Sequence, residues 1–221
     1  MKPDFLPFYE TVTLVGGGEC SHAILDEVLT LAPILVAADG GADRALACGH
    51  VPQRVVGDLD SLSQTAREAL GADRLQRIEE QDSTDFDKAL RSLGAPLVLG
   101  VGFLGGRLDH ELACLNALVR HADRKCILVG EQDICFHVPR EIVLELPEGT
   151  RVSLFPLAGL RATLHGLRWS FDDLQLAPWD RVGTSNEVAD GPVRLRFDRP
   201  GMVVILPRAA LGAAIRALEA A

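Results

Sequence analysis

Up to Pro139 the chain alternates two spacings of apolar residues. Five short runs are apolar nearly throughout: 11–15 (TVTLV), 34–38 (ILVAA), 54–57, 97–101 (LVLGV) and 126–129. Such runs suit strands of a parallel sheet covered on both faces. Segments with helical spacing separate them. Over 21–31, Ile24, Leu25, Val28 and Leu29 share one face; a shorter helix over 42–48 closes at Gly49; over 108–121, Leu112, Leu115, Asn116 and Val119 fall in register. Strand and helix in alternation predict an α/β domain.

Past Pro139 the helical spacing gives way to short strands punctuated by Pro and Gly: 141–146, 151–155, 162–164, 193–197 and 202–206. Val193-Arg194-Leu195-Arg196-Phe197 alternates apolar and polar residues, as a strand with one buried face does. The pattern predicts an antiparallel sandwich, with a surface helix over 209–220. The expected organisation is therefore two domains, 1–139 with a Rossmann-like parallel sheet and 140–221 with a β-sandwich.

Composition narrows the function classes. The 221 residues carry 22 Lys plus Arg against 31 Asp plus Glu, a formal charge of −9. That balance argues against nucleic acid, which needs a basic stripe. It leaves nucleotides open, because a divalent cation bridges carboxylates and phosphates. The longest uncharged stretch, 95–106, is interrupted by Pro96 and four glycines, so no membrane span is expected. The N-terminal residues carry Asp4 and two prolines where a signal peptide has an apolar run. Five scattered cysteines without a C-x-x-C pair read as reduced thiols of a cytoplasmic protein rather than a zinc or redox site.

The candidate chemistry is a series of carboxylates at strand ends, where open α/β sheets bind ligands. Asp39 ends ILVAA and precedes Gly40-Gly41. Asp58 and Asp60 follow the 54–57 strand, and in extended chain their side chains point the same way, toward one cation. A solvated turn ahead of a helix starting near Ser61 or Ser63 accounts for them equally well. The segment 81–90 reads as a helix start capped by Ser83 or Thr84, with Asp82, Asp85 and Asp87 favoured there by the helix dipole. Lys88 lies one turn on, placed to reach a phosphate or to pair with Asp85. The segment 102–110 (GFLGGRLDH) offers close backbone approach at its glycines, an anion-binding fork in Arg107, a cap or metal ligand in Asp109, and His110. Gly16-Gly17-Gly18 is a degenerate dinucleotide fingerprint, read as a tight turn near a nucleotide. In the second half, 183–187 (GTSNE) interrupts the β pattern with side chains able to read a heterocycle, or forms a hairpin loop.

Five of these segments in order, ADGGA (38–42), GDLDS (57–61), DSTDFDKAL (82–90), GGRLDHELACLN (105–116) and RVGTSNE (181–187), resemble the thiamine pyrophosphokinase family. The resemblance implies an α/β catalytic domain and a β-sandwich that helps hold thiamine, in a homodimer. It implies an enzyme that moves the pyrophosphoryl group of ATP onto the hydroxyethyl group of thiamine and releases AMP. By the same resemblance Asp58, Asp60 and Asp85 are the Mg²⁺ ligands. Asp39, Gly40 and Thr84 belong to the ATP site together with Lys88, Arg107 and Asp109, which join the three metal carboxylates as catalytic residues. Ser185 and Asn186 are the thiamine contacts. His110 stands where some members carry Gln, and Met202-Val203-Val204 replaces an aromatic that stacks on thiamine in some members. Two other readings remain beside this one: a pyrophosphokinase for another hydroxymethyl heterocycle such as a pterin, and a non-catalytic nucleotide-binding protein.

Overall fold

The computed structural model describes residues 6–221. The N-terminal reading against a signal peptide falls partly on residues 1–5, outside those described. Among the described residues no helix is long and apolar enough to cross a membrane, and all five cysteines are free thiols.

The chain divides into two compact units, one running through Ala117 and taking in Leu128–Glu131, the other comprising Leu118–Ile127 and Gln132–Ala221. In the first unit the elements run β1 (Leu6–Pro7), β2 (Val12–Val15), α1 (His22–Leu31), β3 (Ile34–Ala38), α2 (Gly41–Ala47), β4 (Arg54–Gly57), α3 (Gln64–Leu70), β5 (Leu75–Arg77), α4 (Asp85–Ser92), β6 (Leu93–Gly94) and β7 (Val98–Val101). Helix α5 (Leu108–Arg120) and strand β8 (Cys126–Val129) contribute residues to both units. Strands β7, β2, β3, β4 and β5 pair in that order, all parallel. Their side chains are buried on both faces in β2, β3 and β7, as the uninterrupted apolar runs require. The sequence pattern does not reveal β5, whose LQR has no apolar run and which sits at the sheet edge.

Strand order reverses beside β2, and the loops after β2 and β7 lie side by side there. The Gly16 amide donates to the Val101 carbonyl at 2.8 Å and the Gly18 amide to the Gly102 carbonyl at 3.0 Å. A Cβ at Gly18 would stand 2.6 Å from the Gly102 oxygen, so this backbone contact requires glycine. A Cβ at Gly41 would collide with the Val15 carbonyl, which is how α2 packs onto the end of β2.

The second unit continues with β9 (Asp133–His137), β10 (Glu141–Leu144), β11 (Arg151–Pro156), β12 (Leu160–His165), β13 (Phe171–Leu176), β14 (Gly183–Glu187), β15 (Val193–Phe197), β16 (Met202–Pro207) and α6 (Leu211–Ala220). One antiparallel sheet runs β10-β15-β12-β13, and a second group runs β14-β11-β16-β9. Alternation in β10, β12 and β15 buries every second residue, as in a sandwich. The compact division falls at Gln132 rather than at Pro139, because β9 pairs with β16 along Asp133–His137. Helix α6 is not a plain surface helix: Leu211, Ala214, Ala217 and Leu218 are buried, and it packs against β10. Residues 183–187 form a strand rather than a hairpin loop, pairing with β11 at the sheet edge.

The glycine requirement is testable. Gly41→Ala should lower the unfolding free energy by roughly 1–3 kcal/mol, as overpacking against fixed backbone does. A thermal melt of the variant reports it, and an unchanged midpoint contradicts this packing.

Candidate active site

A cavity of about 640 Å³ opens at the carboxyl ends of the parallel strands of the first unit. Its walls come from the loops after β2, β3 and β7 and from the first turns of α4 and α5, and this volume is typical of a small-molecule site. Asp39, Gly40, Thr84, Asp85, Arg107 and His110 line it, and Gly16-Gly17-Gly18 form part of the wall as the glycine run suggests. Arg44, Ser61, Phe103 and Glu111 also line it and were not singled out by the sequence. Arg44 lies two residues past the ADGGA segment, the one signal that could have found it. Glu111 holds the glycine loop by accepting the Gly105 amide at 3.0 Å.

Carboxylate oxygens of Asp39, Asp58 and Asp60 lie within 4.8 Å of one another. The backbone that brings them there is not extended. Leu59 is left-handed at φ 68°, an unusual conformation for a leucine. The Asp60 amide turns back to donate to Asp58 Oδ1 at 3.2 Å, and the Arg67 guanidinium holds the Leu59 carbonyl. The two acids therefore meet across a tight turn, not along a strand. Gly57 lets the cluster close, since a Cβ there would stand 2.9 Å from Asp39 Cβ and 3.2 Å from Asp85 Oδ1.

Asp39 is 2% exposed and left-handed at φ 42°. Its Oδ2 accepts the Ser61 amide at 3.2 Å, while its buried Oδ1 has no partner. Burial pushes its pKa up to about 6; the Ser61 hydrogen bond opposes this, and the charges of Asp85, Asp58 and Asp60 add to it. Asp85 joins the group through Lys88, whose Nζ lies 2.7 Å from Asp58 Oδ2 and 3.2 Å from Asp85 Oδ1. Lys88 is 1% exposed. Burial disfavours its charge, but the hydrogen bonds and charges of the two aspartates outweigh that and hold its pKa above the ordinary lysine value. The Lys88 hydrogen bond in turn holds Asp58 below the usual carboxylate range. Lys88 is thus committed to the carboxylates.

Thr84 caps α4, its hydroxyl accepting the Asp87 amide at 3.3 Å. Arg107 forks onto Asp109 at 3.1 and 2.7 Å, and both side chains are exposed. The fork holds the Asp109 carboxyl below its ordinary range.

Ser185 and Asn186 lie in the second unit, on β14. The register with β11 breaks between Val152 and Leu154. Ser185 is left-handed there, at φ 59°, and its amide donates to Ser153 Oγ at 3.0 Å. An irregularity of this kind re-aims a side chain out of the sheet pattern, and Ser185 is exposed. Asn186 is 5% exposed.

Residues 25–129 match the thiamin pyrophosphokinase catalytic domain, and residues 134–202 match the thiamin pyrophosphokinase vitamin B1 binding domain. The chain belongs to the thiamin pyrophosphokinase family. It is accordingly an enzyme of the ATP-dependent pyrophosphotransferase class. Thiamine pyrophosphokinase 1 of Oryza sativa subsp. japonica is 29% identical over 201 residues, covering 76% of each chain. A crystal structure of a protein from Lactobacillus plantarum is similar with a TM-score of 0.75 at 27% identity, over 90% of this chain and 99% of that one. Thiamin pyrophosphokinase from Candida albicans gives a TM-score of 0.76 at 16% identity, over 93% and 94% of the two chains, a likeness of fold. Of the site residues expected for a thiamin pyrophosphokinase, Asp39, Gly40, Thr84, Asp85 and Arg107 line the cavity, Asp58 and Asp60 meet the Asp39 carboxylate, Lys88 pairs with Asp58 and Asp85, and Asp109 pairs with Arg107, whereas Ser185 and Asn186 stand in the region matching vitamin B1 binding.

The raised pKa of Asp39 has a defined sign. Ionising a carboxyl whose folded pKa exceeds its unfolded value disfavours the fold, so stability falls as pH rises from about 4 through 6. Asp39→Asn, which keeps a residue tolerant of left-handed backbone, should raise the melting temperature in chelator at pH 7.5. That gain should shrink as the pH is taken through 6 toward 4. Thermal melts across this range test it, and a gain independent of pH contradicts the assignment.

Proposed function

We propose that this chain transfers the pyrophosphoryl group of ATP to thiamine, forming thiamine diphosphate and AMP. The convergence of Asp58 and Asp60 on Asp39, which lines the cavity, carries the reading, in a chain that matches both domains of the family. The thiamine hydroxyl oxygen bonds to the β-phosphorus. The bond from that phosphorus to the oxygen bridging the α-phosphate breaks, and the electron pair leaves with AMP. The hydroxyl proton passes to a carboxylate. Asp85 lines the cavity and we assign it this role, since Asp58 is engaged by both Lys88 and the Asp60 amide.

The donor set fits Mg²⁺. Three carboxylates within 4.8 Å of one another, one with a buried oxygen lacking a partner, suit a hard cation that takes oxygen ligands. We assign Asp39, Asp58 and Asp60 to hold it, with Asp85 adjoining. Bound there, Mg²⁺ supplies charge neutralisation at the phosphates. Lys88 keeps Asp58 ionised, and its hydrogen bonds orient both Asp58 and Asp85. Arg44 and Arg107, both lining the cavity, carry positive charge to the triphosphate. The glycine loops let backbone amides approach it. Ser185 and Asn186 are assigned to the thiamine end.

The match to a vitamin B1 binding domain favours thiamine over a pterin. We further propose a homodimer acting in the cytoplasm. Leu108 and Leu112, one turn apart on α5 and 69% and 56% exposed, support a subunit contact. Incubation with ATP, Mg²⁺ and thiamine should give thiamine diphosphate and AMP in equal amounts. Asp60→Asn should slow turnover roughly 100-fold, as loss of one electrostatic group in such a site does. Product chromatography tests both; ADP as co-product, or a folded protein giving no thiamine diphosphate, contradicts the reading.

A further inference from the structure

The turn that carries Asp58 and Asp60 is held along its backbone. Three consecutive carbonyls accept donors from outside it: the Ile78 amide donates to Gly57 at 2.7 Å, Arg77 Nε to Asp58 at 3.3 Å, and the Arg67 guanidinium to Leu59. A peptide unit is planar, so a fixed carbonyl fixes its whole plane. The planes on both sides of Leu59 are therefore pinned, one by Arg77 and one by Arg67. Leu59 sits between them at φ 68°. A leucine keeps that conformation only where its surroundings hold it there.

The two arginines are not equivalent. Arg77 comes from the edge strand β5; its side chain is 64% exposed and also pairs with Glu79 at 3.2 Å. Arg67 is half-buried on α3, and that helix is anchored. Its cap Ser63 donates to the Asp43 carboxylate of α2 through its amide at 3.0 Å and through its hydroxyl. Arg67 lies one turn past Ser63, its own amide donating to the Ser63 carbonyl at 3.0 Å. Helix α2 begins two residues after Asp39. The chain that carries Asp39 and the turn that carries Asp58 and Asp60 are thus braced against each other through Asp43, Ser63 and Arg67, and the last link of the brace is the Leu59 carbonyl. Arg67 is absent from the described residues that line the cavity, so it acts through this backbone contact.

We infer that Arg67 is a positioning residue for the divalent cation: by holding the Leu59 carbonyl it keeps Leu59 left-handed and so sets the spacing at which Asp58 and Asp60 meet Asp39. The inference rests on the assignment of those three carboxylates to Mg²⁺ under the proposed function, and adds the group that shapes them. Without the guanidinium the plane between Leu59 and Asp60 is free to turn. Repulsion between the carboxylates then drives them apart, and a cation finds fewer ligands at once. Outer groups that orient metal ligands typically account for about 10–100-fold in affinity.

Mn²⁺ is the probe, and the electron paramagnetic resonance signal of free Mn²⁺ reads its binding to the full-length, nucleotide-free protein. Arg67→Met removes the donors and keeps the aliphatic stem, and should weaken Mn²⁺ binding about tenfold or more. Arg67→Ala should do the same, and Arg67→Lys, which still offers a cationic donor, should recover part of the loss. In turnover, R67M should raise KM for the magnesium complex of ATP by about the same factor, with KM for thiamine within about twofold. Leu70→Ala is the control for mere loosening of α3. Leu70 is buried on the same helix, so L70A should lower the melting temperature and leave Mn²⁺ affinity within about twofold. An R67M or R67A protein that binds Mn²⁺ as tightly as the wild type overturns the inference, as does an L70A protein that loses as much Mn²⁺ affinity as R67M. A wild-type protein that binds no Mn²⁺ brings down the inference together with the cation assignment beneath it. A wild-type protein that binds Mn²⁺, with the expected losses in the variants, but forms no thiamine diphosphate supports the inference and brings down only the pyrophosphokinase reading.

Discussion

Mutual repulsion of carboxylates governs the first unit. At an effective dielectric of about 20, two full charges ~4.8 Å apart repel by on the order of 3 kcal/mol. Asp39, Asp58 and Asp60 are crowded to that range, and Asp85 approaches across Gly57. The fold tolerates this with a buried counter-charge, Lys88, shared between Asp58 and Asp85. Asp39 is left out of that pairing; burial first, and the neighbouring charges in addition, raise its pKa, and one of its buried oxygens has no partner. Crowded carboxylates cost stability that a divalent cation would restore, and such a cation in turn attracts a polyphosphate, which connects the electrostatics to pyrophosphoryl transfer.

Local backbone choices make the cluster. The left-handed residues Asp39 and Leu59 sit at the ends of β3 and β4. Such conformations cost of order 1 kcal/mol each and persist where surrounding structure fixes them. Arg67 holds the Leu59 carbonyl and Leu59 itself is buried, so packing and a charged hydrogen bond fix the turn between the two acids. The second unit uses the same device at Ser185, where a break in the β11–β14 register coincides with left-handed backbone.

Much of this was legible in the residues. β3, β4, β8 and β15 fall where their apolar runs or alternation end, because buried strands write their burial into composition. Edge strands do not: β5 (LQR), β13 (FDDLQL) and β14 (GTSNE) are held by ladder hydrogen bonds and carry polar side chains. The acidic segments were recognisable one by one, and Thr84 as a cap. Their connections were not. No spacing rule links Lys88 to Asp58, thirty positions away, or Asn186 to the backbone of Trp169. The Asp58–Asp60 pair was legible as a pair but not as a turn, because nothing in a leucine announces a positive φ.

The central claim is that these aspartates exist to bind a divalent cation at the nucleotide. A crystal structure with Mn²⁺ and a non-hydrolysable ATP analogue, read by anomalous scattering, tests it most directly. The account predicts a manganese peak within coordination distance of Asp39, Asp58 and Asp60, with the analogue's phosphates beside it. An analogue bound in the cavity with manganese elsewhere, or with none, would contradict it.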